Sequence, residues 1–243
     1  MPEIFRSKVN CVTKITQSGR PPFVKKIYGP QAIGTGVALP VRRSLIERRV
    51  SVELARRSKN TRHGVSVIAC TGGTSLMNVM PYIDGFPLRS LRASEWPKPN
   101  QLRKLGSFFA EAERGFGTPL FRGLLLTSQR LGTIIRLYKT GSTAVKLRKY
   151  FSFGDATFAN ILSTSEGLYL LDFEFAHLSD GGFDIGMLIA EIDQLIKRGM
   201  PLRYAQTALI QGYISGGGKL GAVLTWRARL AKFQAARTKR DGG

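Results

Sequence analysis

Acidic residues are scarce in this chain: 16 Asp and Glu stand against 37 Lys and Arg, leaving a formal net charge of +21 over 243 residues. That imbalance points to an anionic partner or surface, whether nucleic acid, a lipid headgroup or a phosphorylated substrate, or else to a basic bias of the whole chain. Cysteine is scarcer still. Cys11 and Cys70 could form one bridge at most and belong to no Cys-x-x-Cys pair, which excludes a disulfide scaffold and a cysteine-based zinc site; they read as core thiols of a reducing compartment. His63 and His177 are the sole histidines and lie far apart in sequence, which leaves no basis for a histidine triad or a histidine zinc centre. No uncharged apolar run approaches the roughly 18 residues needed to span a bilayer. The opening Met-Pro-Glu-Ile-Phe-Arg has no apolar stretch followed by a small-residue cleavage site, so the expected location is the cytoplasm, with the inner face of the membrane as a peripheral site.

What is present suits a folded globular chain: 43% hydrophobic and 9% aromatic residues, in a length that gives one large domain or two small lobes. Charge is unevenly spread. From Asp155 to Asp193 there are eight acids and no Lys or Arg, so a segment that excludes positive charge sits inside a very basic chain. Such a segment is where bound cations are to be sought.

Alternating patterns predict a hairpin of Cys11–Thr16 and Phe23–Tyr28, and residues 29–40, with three Gly and two Pro, read as a loop ending at Pro40. A helix follows over about 41–59, with Ile46, Val50 and Leu54 on one stripe. Strands are expected at about 65–70 and 75–81, joined by Thr71-Gly-Gly-Thr74. Between 82 and 99 little is regular, and beyond it the pattern turns from strand-rich to helix-rich. The boundary between two lobes is placed there, giving 1–85 and 86–243. Helices are expected at about 100–114, 118–131, 142–150, 202–214 and 219–238. The clearest apolar face runs through Ile185, Leu188, Ile189, Ile192, Leu195 and Ile196.

Inside the acidic segment, Gly154-Asp155 opens an Asp-x-x-x-x-Asn run ending at Asn160. A short hairpin then brings the chain back to Leu171-Asp172-Phe173-Glu174. Asp155 or Asn160 alone would be an ordinary turn residue and Asp172 an ordinary strand-end acid; their combination is informative. Magnesium takes hard oxygen ligands such as a carboxylate and an amide carbonyl, and transfer of a phosphoryl group needs a carboxylate to orient the attacking hydroxyl and take its proton.

This run resembles the catalytic and metal-binding loops of the aminoglycoside phosphotransferase-like branch of the protein-kinase-like superfamily, which includes lipopolysaccharide kinases. Asp184 in Gly182-Phe-Asp-Ile185 and the run Ala208-Leu-Ile-Gln-Gly-Tyr213 extend the likeness over 153–213. The resemblance implies an α+β, bilobal protein-kinase-like fold, with a small antiparallel sheet and one helix before a larger, mostly helical lobe. It implies ATP and Mg2+ as cofactors, Asp155 as catalytic base, Asn160 and Asp172 as metal ligands, and Asp184 as the brace of the catalytic loop. Upstream, Phe23-Val-Lys-Lys26 resembles the strand of the phosphate-binding lysine. Val24 then faces the adenine, Lys26 (or Lys25) the phosphates, and Glu47 (or Glu53) the lysine. Leu76–Leu88 resembles the strand and hinge that hold the adenine edge. Two departures stand out. Phe153 replaces the usual His, able to pack but not to donate. Arg6-Ser-Lys-Val-Asn10 holds no glycine where a glycine-rich loop is expected, and Gly34-Thr-Gly36 follows the lysine strand instead of preceding it.

Between Gly115 and Gly154 there are seven Lys or Arg and no acid, where substrate-facing insertions of the family lie. Polycationic antibiotics would need acids there, so a small-molecule or glycolipid acceptor of anionic character is expected. Three other readings stand beside it: a degenerate kinase-like protein that binds nucleotide without turnover, a protein Ser/Thr kinase, for which the span from Asp172 to Asp184 is short, and a binder of nucleic acid or of an anionic membrane surface. The basic tail Arg227–Arg240 reads as a helix packed over Leu230 and Phe233, or as part of such a surface.

Overall fold

The computed structural model describes residues 3–6, 10–29, 31–33, 36–38, 40–58, 64–115, 150–179 and 181–241, with side chains described for 10–29, 40–58, 64–115, 150–179 and 181–231. The expected helices at 118–131 and 142–149, most of the basic stretch 116–149, Lys8, His63 and the pair Gly34-Thr35 lie outside the described residues.

The amino-terminal part is a five-stranded sheet with one helix against it. Strands β1 (Glu3–Arg6), β2 (Asn10–Gln17) and β3 (Arg20–Tyr28) form an antiparallel meander. Two short strands, β4 (Gln31–Ile33) and β5 (Gly36–Ala38), pair antiparallel where the Gly and Pro content suggests only loop. Glycine lowers strand propensity without forbidding the ladder hydrogen bonds that pairing supplies. Helix α1 (Pro40–Ser58) opens on a proline, whose missing N–H would have no helical partner in any case, and buries Ile46, Val50 and Leu54.

Strand β6 (Val65–Val67) departs from expectation. It does not pair with the next long strand; instead β7 (Gly72–Gly73) pairs with β8 (Met77–Pro81), and β8 completes the amino-terminal sheet beside β3. β6 runs parallel to a strand more than 100 residues later, a pairing that local alternation cannot reveal. That strand belongs to a second, four-stranded sheet containing β9 (Phe86–Pro87), β11 (Ile161–Ser163) and β12 (Leu168–Leu170), ordered β6-β12-β11-β9. The hairpin after Asn160 is thus clamped on one side by chain from before the irregular stretch 82–85 and on the other by chain from after it. Between β9 and β11 in sequence lies β10 (Tyr150–Ser152), a strand where the expected helix would end; it pairs antiparallel with β13 (His177–Ser179).

The carboxy-terminal part is helical: α2 (Pro99–Gly115), α3 (Phe183–Lys197), α4 (Arg203–Ser215) and α5 (Leu220–Asp241). α2 and α4 approach closely. A Cβ on Gly212 would lie 1.9 Å from the Arg103 carbonyl oxygen, so a side chain there would separate the helices. α3 buries Ile185, Leu188, Ile189, Ile192 and Leu195, each contributing about 1.5–3 kcal/mol of transfer free energy. This face makes α3 a fixed wall for the residues at its amino-terminal end. No helix among the described residues is long and apolar enough to cross a membrane.

Candidate active site

Alternation along β3 turns Val24 and Lys26 to one face of the sheet and Lys25 to the other. The Lys26 ammonium is buried and lies 2.9 Å from Glu47 Oε2, 2.7 Å from Asp172 Oδ1 and 3.4 Å from Glu174 Oε2. No ion pair forms at Lys25 among the described residues. Burial alone would lower the pKa of Lys26, but Asp172, Glu47 and Glu174 together raise it well above the ordinary lysine value, so it stays charged. Glu47 faces inward from α1, accepts a hydrogen bond from the Tyr28 hydroxyl, and is backed by Asn78, whose amide donates to that hydroxyl at 2.8 Å. Glu53 lies further along the same helix and pairs with Arg56 and Arg57 at the surface.

Glu174 is the third carboxylate of the group, brought in by the turn that follows β12, which begins at the positive φ of Asp172. The amide of Asn10 donates to both its oxygens at 3.1 Å, and Arg43 reaches it at 3.3 Å. Burial and then the neighbouring Asp172 push its pKa up to about 7, against the pull of Lys26 and Arg43. Sequence reasoning gave Asn10, Tyr28, Arg43 and Asn78 no place in this cluster. Arg43 carried a usable signal, since it stands four residues before Glu47 and so shares its helix face.

The loop that carries Asp155 is held from behind. Asp184, in the first turn of α3, accepts from Ser152 Oγ at 3.0 Å, from the Phe153 N–H at 2.9 Å and from the Gly154 N–H at 3.3 Å. Burial, which outweighs these donors, pushes its pKa up to about 7. Gly154 has φ +84°, and a Cβ there would sit 2.0 Å from the Phe175 carbonyl oxygen, so the residue before Asp155 must be glycine. Phe153, in the usual histidine position, packs among Phe108, Phe109, Phe151 and Phe173, with ring centroids 4.8–6.2 Å away. It replaces hydrogen bonding with an aromatic cluster that locks the same segment.

Asn160 folds back on Asp155, donating its amide to the backbone oxygen at 2.9 Å and to Oδ2 at 3.0 Å. Its side-chain oxygen, Oδ1, has no hydrogen-bond partner among the described residues, while its backbone oxygen accepts from the Leu171 N–H at 3.1 Å. Burial first, and then the nearby Asp172, push the pKa of Asp155 up to about 6, close to the range in which a carboxylate can exchange protons at neutral pH. Asp172 has φ 68°, the sole positive value at a non-glycine among the described residues, a sparsely populated backbone conformation that its surroundings hold. Glu191, from the exposed side of α3's buried stripe, accepts from the Phe158 N–H at 2.8 Å and pins the far end of the loop.

Between the two sheets, Val24, Met80, Ile83, Leu162, Tyr169 and Leu171 surround Ile68 and Cys70 in a separate apolar cluster. Its partly buried members come from β3 (Val24), from Ile83 after β8, and from the β11–β12 hairpin and its exit (Leu162, Tyr169 and Leu171). The oxygens available beside it are hard donors: the Asn160 carbonyl, Asp172, and Glu174, whose carboxylate lies within 4.8 Å of those of Asp172 and Glu47. Such a set fits a divalent cation of the magnesium type.

No protein-family model matches the chain, and no curated protein matches it by sequence. Solved structures do. A macrolide 2'-phosphotransferase from Brachybacterium faecium superposes with a TM-score of 0.61 at 15% identity, covering 98% of this chain and 86% of that one. An ethanolamine kinase from Plasmodium vivax gives 0.60 at 12% identity, over 96% and 71%. An amicoumacin kinase in complex with AMP-PNP, Ca2+ and Ami gives 0.58 at 14% identity, over 98% and 81%. The chain therefore has the protein-kinase-like fold that these enzymes share.

Proposed function

We propose that this protein-kinase-like chain transfers the γ-phosphoryl group of ATP to a hydroxyl of a small, anionic acceptor. The observation that carries the reading is the convergence of Lys26, paired to Glu47, with Asp172, Asn160 and Asp155, in a chain whose β3 and β11–β12 hairpin share an apolar cluster.

The adenine packs against the apolar side chains of Val24 and Leu162, and Lys26 exchanges its contact with Asp172 for nucleotide phosphate while Glu47 keeps it aimed. Asn160 and Asp172, with Glu174 adjacent, supply the oxygens for Mg2+, which when bound neutralises phosphate charge. Asp155 takes the proton of the acceptor hydroxyl, the alcohol oxygen bonds to the γ-phosphorus, and the bond to the β–γ bridging oxygen breaks to release ADP. Asp184 and Glu191 contribute by fixing the loop that carries Asp155.

A cavity of about 380 Å3 adjoins that loop, lined by Arg89, Thr157, Met187, Glu191, Leu195 and Arg198 among others. Glu191 is committed to the Phe158 N–H and to Arg89, 3.6 Å away. Arg198 is exposed and has no ion pair among the described residues. A free cation beside a neutralised acid favours an acceptor bearing carboxylate or phosphate, a chemistry shared by soluble acidic sugars and glycolipid heads. The test is ADP release with Mg2+ and a panel of anionic, neutral and cationic alcohols. Turnover with anionic acceptors, with KM raised in Arg198→Glu, is the expected result. Turnover restricted to cationic acceptors would overturn the acceptor class, and no turnover with any class would overturn the activity.

A further inference from the structure

Helix α1 has a second face. Opposite Ile46, Glu47, Val50 and Leu54, the residues Val41, Leu45, Arg49, Val52 and Arg56 recur at spacings of four, four, three and four, which places them on one stripe. All five are exposed. Val41 is 46% accessible, Leu45 37% and Val52 46%, a row of apolar side chains on a helix whose other side is fully packed. Arg49 has no ion pair among the described residues, and Glu53, the acid nearest the stripe, is occupied by Arg56 and Arg57. The stripe therefore presents three apolar groups and one cation, Arg49, unpaired among the described residues, with the charge of Arg56 met by Glu53.

That mixture discriminates between partners. Nucleic-acid phosphates would reward the arginines but give Val41, Leu45 and Val52 nothing. A second copy of the chain docking by the same face would set Arg49 against its own equivalent. An interfacial bilayer position suits both components, with the aliphatic side chains at the acyl boundary and the Arg49 guanidinium snorkelling to anionic headgroups. We propose that the outer face of α1 is a docking surface for an anionic lipid bilayer, on which the chain lies peripherally.

The test is co-sedimentation of the full chain with vesicles of phosphatidylglycerol and phosphatidylcholine, against phosphatidylcholine alone. Wild type partitions onto the mixed vesicles and not onto the neutral ones. Leu45→Ser with Val52→Ser lowers the partition coefficient at least about tenfold, because each side chain, less than half exposed, gives up only part of a full burial. Arg49→Glu also lowers it, and reduces its dependence on salt. The control pair Leu220→Ser and Leu224→Ser, exposed on α5, leaves it unchanged. Equal losses in the α1 and α5 variants, or none in either, would overturn the proposal and assign any binding to the diffuse attraction of a +21 chain. An unchanged melting temperature identifies folded variants, and Arg49→Glu decides alone if the double variant fails to fold.

Discussion

The carboxylates around Lys26 are held by charged and polar side chains, whereas Asp184 and Glu191, behind the catalytic loop, are held largely by backbone N–H groups. Side-chain partners can be exchanged when a ligand arrives; backbone donors cannot move without unfolding the loop. The first centre is accordingly suited to trading Asp172 for phosphate, and the second to keeping Asp155 still while that happens. Glu113 extends the fixed side, accepting from the Gly182 N–H at 2.8 Å and from the Tyr213 hydroxyl at 2.7 Å, and so ties the start of α3 to α2 and α4.

Removing the reacting carboxylate should have the largest effect on rate. Asp155→Ala is expected to lower kcat by roughly 10²–10⁴-fold, the usual contribution of a positioned general base, with nucleotide affinity retained in calorimetry. Lys26→Met attacks the exchangeable centre: it strips a buried cation from Glu47 and Glu174, and a stability loss of about 3–5 kcal/mol in urea unfolding is expected, together with weakened ATP binding. Asp184→Asn attacks the fixed centre, where losing part of a three-donor site should cost about 1–3 kcal/mol and depress kcat more than it changes nucleotide affinity.

The same substitution has a pH signature. The Asp184 pKa is raised on folding to about 7, so its proton favours the folded state below that value, and this stability is lost as pH rises from the ordinary carboxylate range through about 7. The wild-type melting temperature should fall relative to Asp184→Asn over that window, and a parallel pair of curves would contradict the assignment. In activity, Asp155 with its pKa near 6 predicts a rate that declines on the acid side of pH 6. The smallest effect belongs to Glu53→Ala, which breaks only surface pairs and should leave ATP affinity unaltered, while Glu47→Ala weakens it.

Much of the site was legible because its spacing is local. Asp155 and Asn160 are joined by one loop and Asp172 by one hairpin, and Val24 and Lys26 share a face through period-2 alternation. Residues that act across the fold left weaker traces. Asn10 meets Glu174 across 164 positions of sequence, and the parallel partnership of β6 with β12 joins segments that no local pattern connects. The choice between Glu47 and Glu53 was likewise open in sequence, since both have arginines nearby and both flank the stripe of Ile46, Val50 and Leu54; what separates them is long-range, Glu47 meeting Lys26 and Tyr28 while Glu53 stays with Arg56 and Arg57.

The central claim is that this arrangement binds a magnesium nucleotide for phosphoryl transfer. Its most direct test is calorimetry of AMP-PNP binding with and without Mg2+, in wild type and in Asp172→Ala. Binding that requires Mg2+ and disappears in Asp172→Ala is predicted; a wild type that takes up no nucleotide at millimolar concentration, or an Asp172→Ala chain that binds as well as wild type, would contradict it.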